Sequence, residues 1–282
     1  MSRGRKKWDE GVIATLQREG KGRGRSATYQ PWVGILDFYS DGRTHEPYSH
    51  KFGRTHQLLS NGEWLTFLML EWADDVVDAR EQYPLDRDIT LEVAHELRIP
   101  HQYYPGTHVP FVMTLDFLVD RVRDGQEYLQ AFNVKTADEL EDPTVINQLE
   151  IARASCHGMD IEHHIIITER LPKQRLKNLE WIRDAQLDED ATEPFPGFFE
   201  EHKSRMVADI RARRYDGSLT DYCTSYDRRY SVEKGVGLRV ARMLMSAKAL
   251  TMDLNNPTVE LAHMDTFRLS ALPGRLRSVG DE

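Results

Sequence analysis

Apolar positions along the chain fall into short runs with recognisable spacing, separated by turn residues. In FVMTLDFLVDRV, residues 111–122, every second residue is apolar. Phe111, Met113, Leu115, Phe117 and Val119 share one face of a predicted β-strand, and Asp116 stands on the other with Thr114, Leu118 and Asp120. Two further strands are predicted at 76–85 (VVDAREQYPL) and 128–136 (YLQAFNVKT), with Asp124-Gly125 before the latter as a hairpin signal. A helix is predicted ahead of them in SNGEWLTFLMLEW. Glu63 follows Ser60 at capping-box spacing, and Leu65, Leu68 and Trp72 form an apolar stripe. A helix over DPTVINQLEIARASCHG and a fourth strand, HHIIITE (163–169), come next. Helix, three strands, helix, strand is an α/β order.

The flanks read differently. Residues 1–30 form a basic segment with a short helix (VIATLQRE) and a Gly/Arg/Ser loop. Residues 31–59 are turn-rich and carry His45, His50 and His56, whose spacing matches no standard zinc motif. These histidines are expected on the surface or packed. Leu171-Pro172 is a boundary, giving a basic segment (1–30), an α/β domain (31–171) and a C-terminal helical domain (172–282). In the last, helices are predicted in LKNLEWIRDA, FFEEHKSRMVADIRARR and VEKGVGLRVARMLMSAKAL, with DEDATEPFPG as a connection. Val236, Val240, Leu244 and Ala247 keep one face of the third helix apolar. LTMDL and the tail supply short strands, so a small mainly helical, winged-helix-like domain is expected, frayed from Pro273-Gly274.

With 282 residues, 40% hydrophobic and 29% charged, the chain has the composition of a soluble globular protein. No apolar run reaches the roughly 20 residues of a membrane span. The start, MSRGRKKWDEG, lacks the apolar segment of a signal peptide, so a cytoplasmic location is expected. Cys156 and Cys223, the two cysteines, suggest neither a disulfide framework nor a zinc knuckle. A net charge of −9 argues against a nucleic-acid partner until its distribution is considered. Arg3, Arg5, Lys6, Lys7, Arg18, Lys21, Arg23 and Arg25 crowd the start, and Lys203, Arg205, Arg211, Arg213 and Arg214 form a second basic set. Such segregation permits local phosphate contacts, although taken alone both runs read more simply as solvated surface.

Asp116 and the pair Asn133/Lys135 fall on strands joined by a tight turn, each with an apolar opposite face. An acid on one strand and Asn-x-Lys on the next suit a divalent-metal phosphodiesterase. The carboxylate holds the cation and the lysine adds positive charge beside the scissile phosphate. Glu63 is available as a second carboxylate. Each residue also has a plain reading: Glu63 as a helix-cap glutamate, Asp116 as a solvent-facing strand acid, Lys135 as a strand-end lysine.

The runs YSHKFGRTHQLLSNGEWLTFLMLEW, REQYPL, FVMTLDFLVD and FNVK, in that order and at those gaps, resemble the catalytic domain of the TnsA family. That family is the endonuclease subunit of a heteromeric bacterial cut-and-paste transposase. The resemblance runs from about Pro31 to Glu169, and LKNLEWIRD is similar to the start of the family's C-terminal domain. It implies a restriction-endonuclease-like fold, with Glu63, Asp116 and Lys135 catalytic. A metal would be held by Glu63 and Asp116, with the Val134 backbone carbonyl and Asn133 as further ligands. Asn133 stands where the family often has glutamine and reaches less far.

The resemblance further implies Mg²⁺-dependent hydrolysis, with Mn²⁺ substituting, that cuts the 5′-end strands at transposon ends. The implied partners are DNA, a TnsB-like integrase-type transposase and a TnsC-like ATPase regulator, the latter docking on the C-terminal domain. A non-catalytic adaptor binding DNA ends and regulator, or a stand-alone restriction or repair nuclease of the same fold, are the alternatives. Asp120, also on the polar face of its strand, is expected to tolerate replacement.

Overall fold

The computed structural model describes residues 8–37, 43–186 and 193–270. The chain divides into two units, Met1–Leu171 and Pro172–Glu282. Arg3, Arg5, Lys6 and Lys7, most of the acidic connection, and Pro273-Gly274 lie outside the described residues.

The first unit begins with helix α1 (Glu10–Arg18), the antiparallel pair β1 (Tyr48–Ser49) and β2 (Arg54–Thr55), and helix α2 (Asn61–Trp72). Its centre is a four-stranded sheet in the order β3-β4-β5-β6. Strand β4 (Thr114–Arg123) pairs antiparallel with both β3 (Val76–Pro84) and β5 (Gln126–Lys135). Asp124 and Gly125 join β4 to β5 with φ of +52° and +77°, the left-handed pair that a two-residue hairpin needs to match strand twist. Helix α4 (Pro143–Gly158) then crosses to β6 (Glu162–Ile167), which lies parallel to β5.

The order of elements is the one that alternation predicts, with one addition. Helix α3 (Arg87–Leu97) sits between β3 and β4. Its sequence, RDITLEVAHEL, fully buries only Thr90 and Ala94, beside its apolar row Ile89, Val93 and Leu97, of which Ile89 and Leu97 stay exposed. Capping makes it: the Asp86 side chain accepts from Asp88 N and Ile89 N, and Arg98 closes it in left-handed backbone. Helix α2 also departs from the predicted stripe. Trp64, Thr66, Phe67, Leu68 and Leu70 are buried around it, while Leu65 and Trp72 are half-buried.

The sheet is covered on both faces. Leu118 and Ala131 pack with Ala94 of α3 and with Ile151, Ala152 and Cys156 of α4. On the other side α2 comes so close that a Cβ on Gly62 would sit 3.0 Å from Val134 Cγ1. Since side chains alternate along β5, Asn133 and Lys135 face the α4 side.

Charges inside this sheet are paired. Glu81 accepts from Arg54 Nη1 at 2.8 Å, Gln57 N at 3.0 Å and His56 Nδ1 at 2.9 Å. Burial lowers the His56 pKa, so His56 is a packed neutral partner of Glu81. The basic stretch 1–30, set apart on composition, packs into this unit from Trp8 onward. Trp8 stacks on Tyr104 with ring centroids 4.6 Å apart, and Ile13 and Leu16 join the same cluster. Arg25 bonds Asp120 at 2.5 Å and Glu127 at 3.1 Å.

The second unit holds helices α5 (Lys173–Arg183), α6 (Phe198–Arg211), α7 (Leu219–Arg229) and α8 (Val236–Ser246), and one antiparallel pair, β7 (Leu250–Thr251) and β8 (Arg268–Leu269). Helix α7, in LTDYCTSYDRR, is not predicted, because its buried face is built from Tyr222, Cys223 and Tyr226 among polar residues. A reciprocal Ser218–Asp221 cap starts it. Helix α8 keeps Val240 and Leu244 of its predicted stripe buried but replaces Val236 and Ala247 with Gly237, Ala241 and Met245. A Cβ on Gly237 would come within 2.9 Å of the Cys223 carbonyl, which is why α7 and α8 meet at a glycine. Among the described residues, no helix is long and apolar enough to cross a membrane.

Asp120 is buried and ion-paired rather than solvent-facing. It is 4% exposed and holds Arg80 at 2.8 Å as well as Arg25. Asp120→Ala strands the half-buried Arg80 and is expected to destabilise the protein by roughly 1–3 kcal/mol. Urea unfolding at neutral pH measures this, and parental stability would refute it.

Candidate active site

The site is assembled where α2 starts and where β4 and β5 part. Ser60, in extended backbone, caps α2 by accepting from Glu63 N at 3.1 Å. The reciprocal half of a capping box does not form. The Glu63 carboxylate instead accepts from Ser60 Oγ at 2.9 Å through Oε1, and from Leu59 N at 2.9 Å and Gln82 Nε2 at 3.1 Å through Oε2. Glu63 is 6% exposed. Burial, and next the negative charge of Asp116, push its pKa up to about 8, against the pull of those three donors.

The β4–β5 ladder ends at Phe117↔Phe132. Beyond it the Val134 N–H donates to Asp116 Oδ2 at 2.6 Å, so a side chain takes over from the sheet. Asp116 is half-buried rather than solvated. It lines a hollow with Thr114, Asn133, Lys135 and, from α4, Gln148 and Ala152. Glu63 stands behind this hollow, linked to it through Gln82, whose Oε1 accepts from Thr114 Oγ1 at 3.3 Å.

The Lys135 pKa is raised, chiefly by Asp116 and then, against burial, by Glu139 and Glu63. Glu139 Oε1 lies 3.7 Å from its Nζ. A lysine held in this direction stays an ammonium at neutral pH, suited to stabilising negative charge and unsuited to accepting a proton. Asn133 is buried and its amide is held at both ends. Oδ1 pairs with His163 Nε2 at 2.9 Å, which requires that nitrogen to carry the proton, and Nδ2 reaches the Thr114 carbonyl at 3.5 Å. Burial, and next His164, lower the His163 pKa, keeping the ring neutral.

The fold thus brings Glu63, Asp116 and Lys135 within electrostatic reach, with Asn133 and Val134 beside them. Asp120 is turned into its own ion pairs. Gln82 and His163 carried no sequence-based role, although Gln82 lies inside the REQYPL run. A glutamine in a strand bound for the core was the available signal. Among the described residues, no group of three or more His, Cys, Asp or Glu gathers to hold a metal ion. The acids at this site are two, Glu63 and Asp116.

Comparison with known proteins follows the same residues. The family described as "TnsA-like endonuclease N terminal" matches residues 73–169, which include Gln82, Asp116, Asn133 and Lys135 but begin beyond Glu63. The family described as "TnsA endonuclease C terminal" matches residues 171–254. "Transposon Tn7 transposition protein TnsA" of Escherichia coli is 33% identical over 244 residues, 86% of this chain and 86% of that protein. The sheet that carries Asp116 and Lys135 and the helical unit after it both lie within these matches, and the chain belongs to the TnsA family of transposition endonucleases.

Proposed function

We propose that the chain is a Mg²⁺-dependent DNA endonuclease, with Mn²⁺ able to substitute, that cuts the 5′-end strands at transposon ends. It works in the bacterial cytoplasm with a TnsB-like transposase and a TnsC-like ATPase regulator. The first unit is read as a restriction-endonuclease-like catalytic domain. The second, with its β7–β8 pair, is read as a winged-helix-like domain on which the regulator docks.

One observation supports this above the others. Asp116 is held close enough to raise the cost of ionising Glu63, with one ammonium beside the two acids. A hard divalent cation suits that donor set. Magnesium characteristically takes one or two carboxylates and fills its other positions with water and substrate phosphate, so two acids suffice. Glu63 and Asp116 would hold it. Val134 can add its carbonyl, because a strand residue points N–H and C=O to the same side, and its N–H already faces Asp116. When bound, Mg²⁺ polarises a phosphoryl oxygen and acidifies water for attack at neutral pH.

The protein's own groups do the rest. Lys135, kept charged by Asp116, meets the negative charge that builds on the phosphate as the bond to the leaving oxygen breaks. The Val134 N–H fixes one oxygen of Asp116, leaving Oδ1 free of hydrogen bonds among the described residues. Asn133, tied to His163 and Thr114, holds the strand end from which Lys135 projects.

Asp116→Asn and Lys135→Ala are expected to lower strand cutting at transposon ends by at least ~100-fold in a reaction reconstituted with the partner proteins. Melting temperature should stay near the parent's. Normal cutting by Asp116→Asn sinks the assignment. A second expectation concerns pH. Because the folded-state pKa of Glu63 lies above its ordinary value of 4.5, metal-free stability is fully present below about 4.5. It falls as pH rises toward about 8 and levels off beyond. Melts in chelator from pH 4 to 9 should show this decline in the parent and a flatter profile in Glu63→Gln. Parallel profiles would contradict the buried, repelled Glu63.

A further inference from the structure

Gln82 is the irregular residue of β3. Its neighbours Glu81 and Tyr83 pair with Phe117 and Leu115, so Gln82 stands opposite Asp116. Its φ is +48°, a left-handed value in the middle of an extended strand. Glutamine rarely adopts it, because the Cβ crowds the backbone there. The turn swings the Gln82 carbonyl out of the ladder to accept from Trp32 N at 3.2 Å. The side chain is 4% exposed, and both ends of its amide are used, Nε2 on Glu63 Oε2 and Oε1 on Thr114 Oγ1.

Backbone in a sparsely populated region persists where the surroundings over-determine it, and it gathers at functional sites. Sheet packing alone does not call for this residue in this conformation; an apolar side chain in extended backbone would continue the ladder and bury cleanly. What the irregular turn achieves is aim. It directs an uncharged N–H donor at the same Glu63 oxygen that Leu59 N–H holds. An arginine or lysine there would neutralise the carboxylate and compete with a cation. An apolar residue would leave Oε2 one donor short and free to turn. The amide fixes the carboxylate without cancelling its charge.

We infer that Gln82 is a positioning residue for the metal-binding carboxylate. It holds Glu63 Oε2 through Nε2 and anchors itself on Thr114. Oε1, whose one donor is the rotatable Ser60 hydroxyl, is thereby the oxygen offered to the cation. The inference rests on the reading of Glu63 and Asp116 as a divalent-metal site and names the residue that sets its geometry. Outer partners of this kind characteristically govern metal affinity more than the intrinsic rate.

Two variants separate amide from backbone. Gln82→Gly accepts φ of +48° without strain but lacks the amide, whereas Gln82→Leu fills the space but keeps the strain. Their melting temperatures in chelator should therefore differ. Both are expected to bind Mn²⁺ about 10–100-fold more weakly than the parent by titration calorimetry. In cleavage assays both should need correspondingly more Mg²⁺ for half-maximal rate and recover most of the rate at saturation. Gln82→Asn, which tolerates left-handed backbone and keeps a shorter amide, should fall between them and the parent. Parental Mn²⁺ affinity in either folded variant, while Glu63→Gln and Asp116→Asn lose binding, overturns the role of Gln82. Parental affinity in Glu63→Gln and Asp116→Asn overturns the metal site itself and the role of Gln82 with it.

Discussion

Everything at the candidate site depends on where β4 and β5 stop pairing. Up to Phe117↔Phe132 the two strands exchange main-chain bonds; beyond, the Val134 N–H is left to find another acceptor. A buried N–H without a partner would be costly, and Asp116 supplies the acceptor at 2.6 Å. That single substitution of side chain for main chain fixes the acid, opens the hollow beside α4, and lets Asn133 and Lys135 project into it. A continued ladder would have closed the same space.

The treatment of charge in the rest of the sheet makes the contrast plain. Glu81 is surrounded by Arg54, His56 and Gln57 N–H, and Asp120 by Arg80 and Arg25. Both acids have cationic partners within hydrogen-bond distance. Glu63 has only neutral donors, and Lys135 lies nearer in influence to Asp116 and Glu139 than to Glu63. The protein can build buried ion pairs and does so at Glu81, next to Gln82 on β3, so the uncompensated acid is a local feature of one site. Left-handed Gln82 marks the border between the two regimes.

Much of this was legible because short-range pattern carried it. Alternation placed Asn133 and Lys135 on one face of β5, Asp124-Gly125 gave the hairpin, and Ser60 gave the start of α2. What escaped depends on distant or non-periodic causes. Asp120 looks solvent-facing until Arg25, 95 residues earlier, arrives with the N-terminal stretch. Helices α3 and α7 form from caps and from buried Thr, Tyr and Cys, which an apolar stripe does not detect. Gln82 sits in a run that alternation assigns correctly to a strand, yet alternation says nothing about a backbone turned through positive φ.

The short amide side chain of Asn133 can be understood on the same terms. A glutamine at this position would have one more methylene with which to enter the hollow. Asparagine instead ends where its oxygen meets His163 on β6, the neighbouring strand and Ala131's register partner. The contact ties the end of β5 sideways to β6 just where its ties to β4 have been given up. It requires only that His163 Nε2 carry a proton. Rigidity that a longer amide would have to draw from the substrate side is thus drawn from the sheet, and Lys135, two residues on, projects from a strand anchored on both flanks. Asn133 bears on how the lysine is held, and the lysine itself stands within the influence of Asp116.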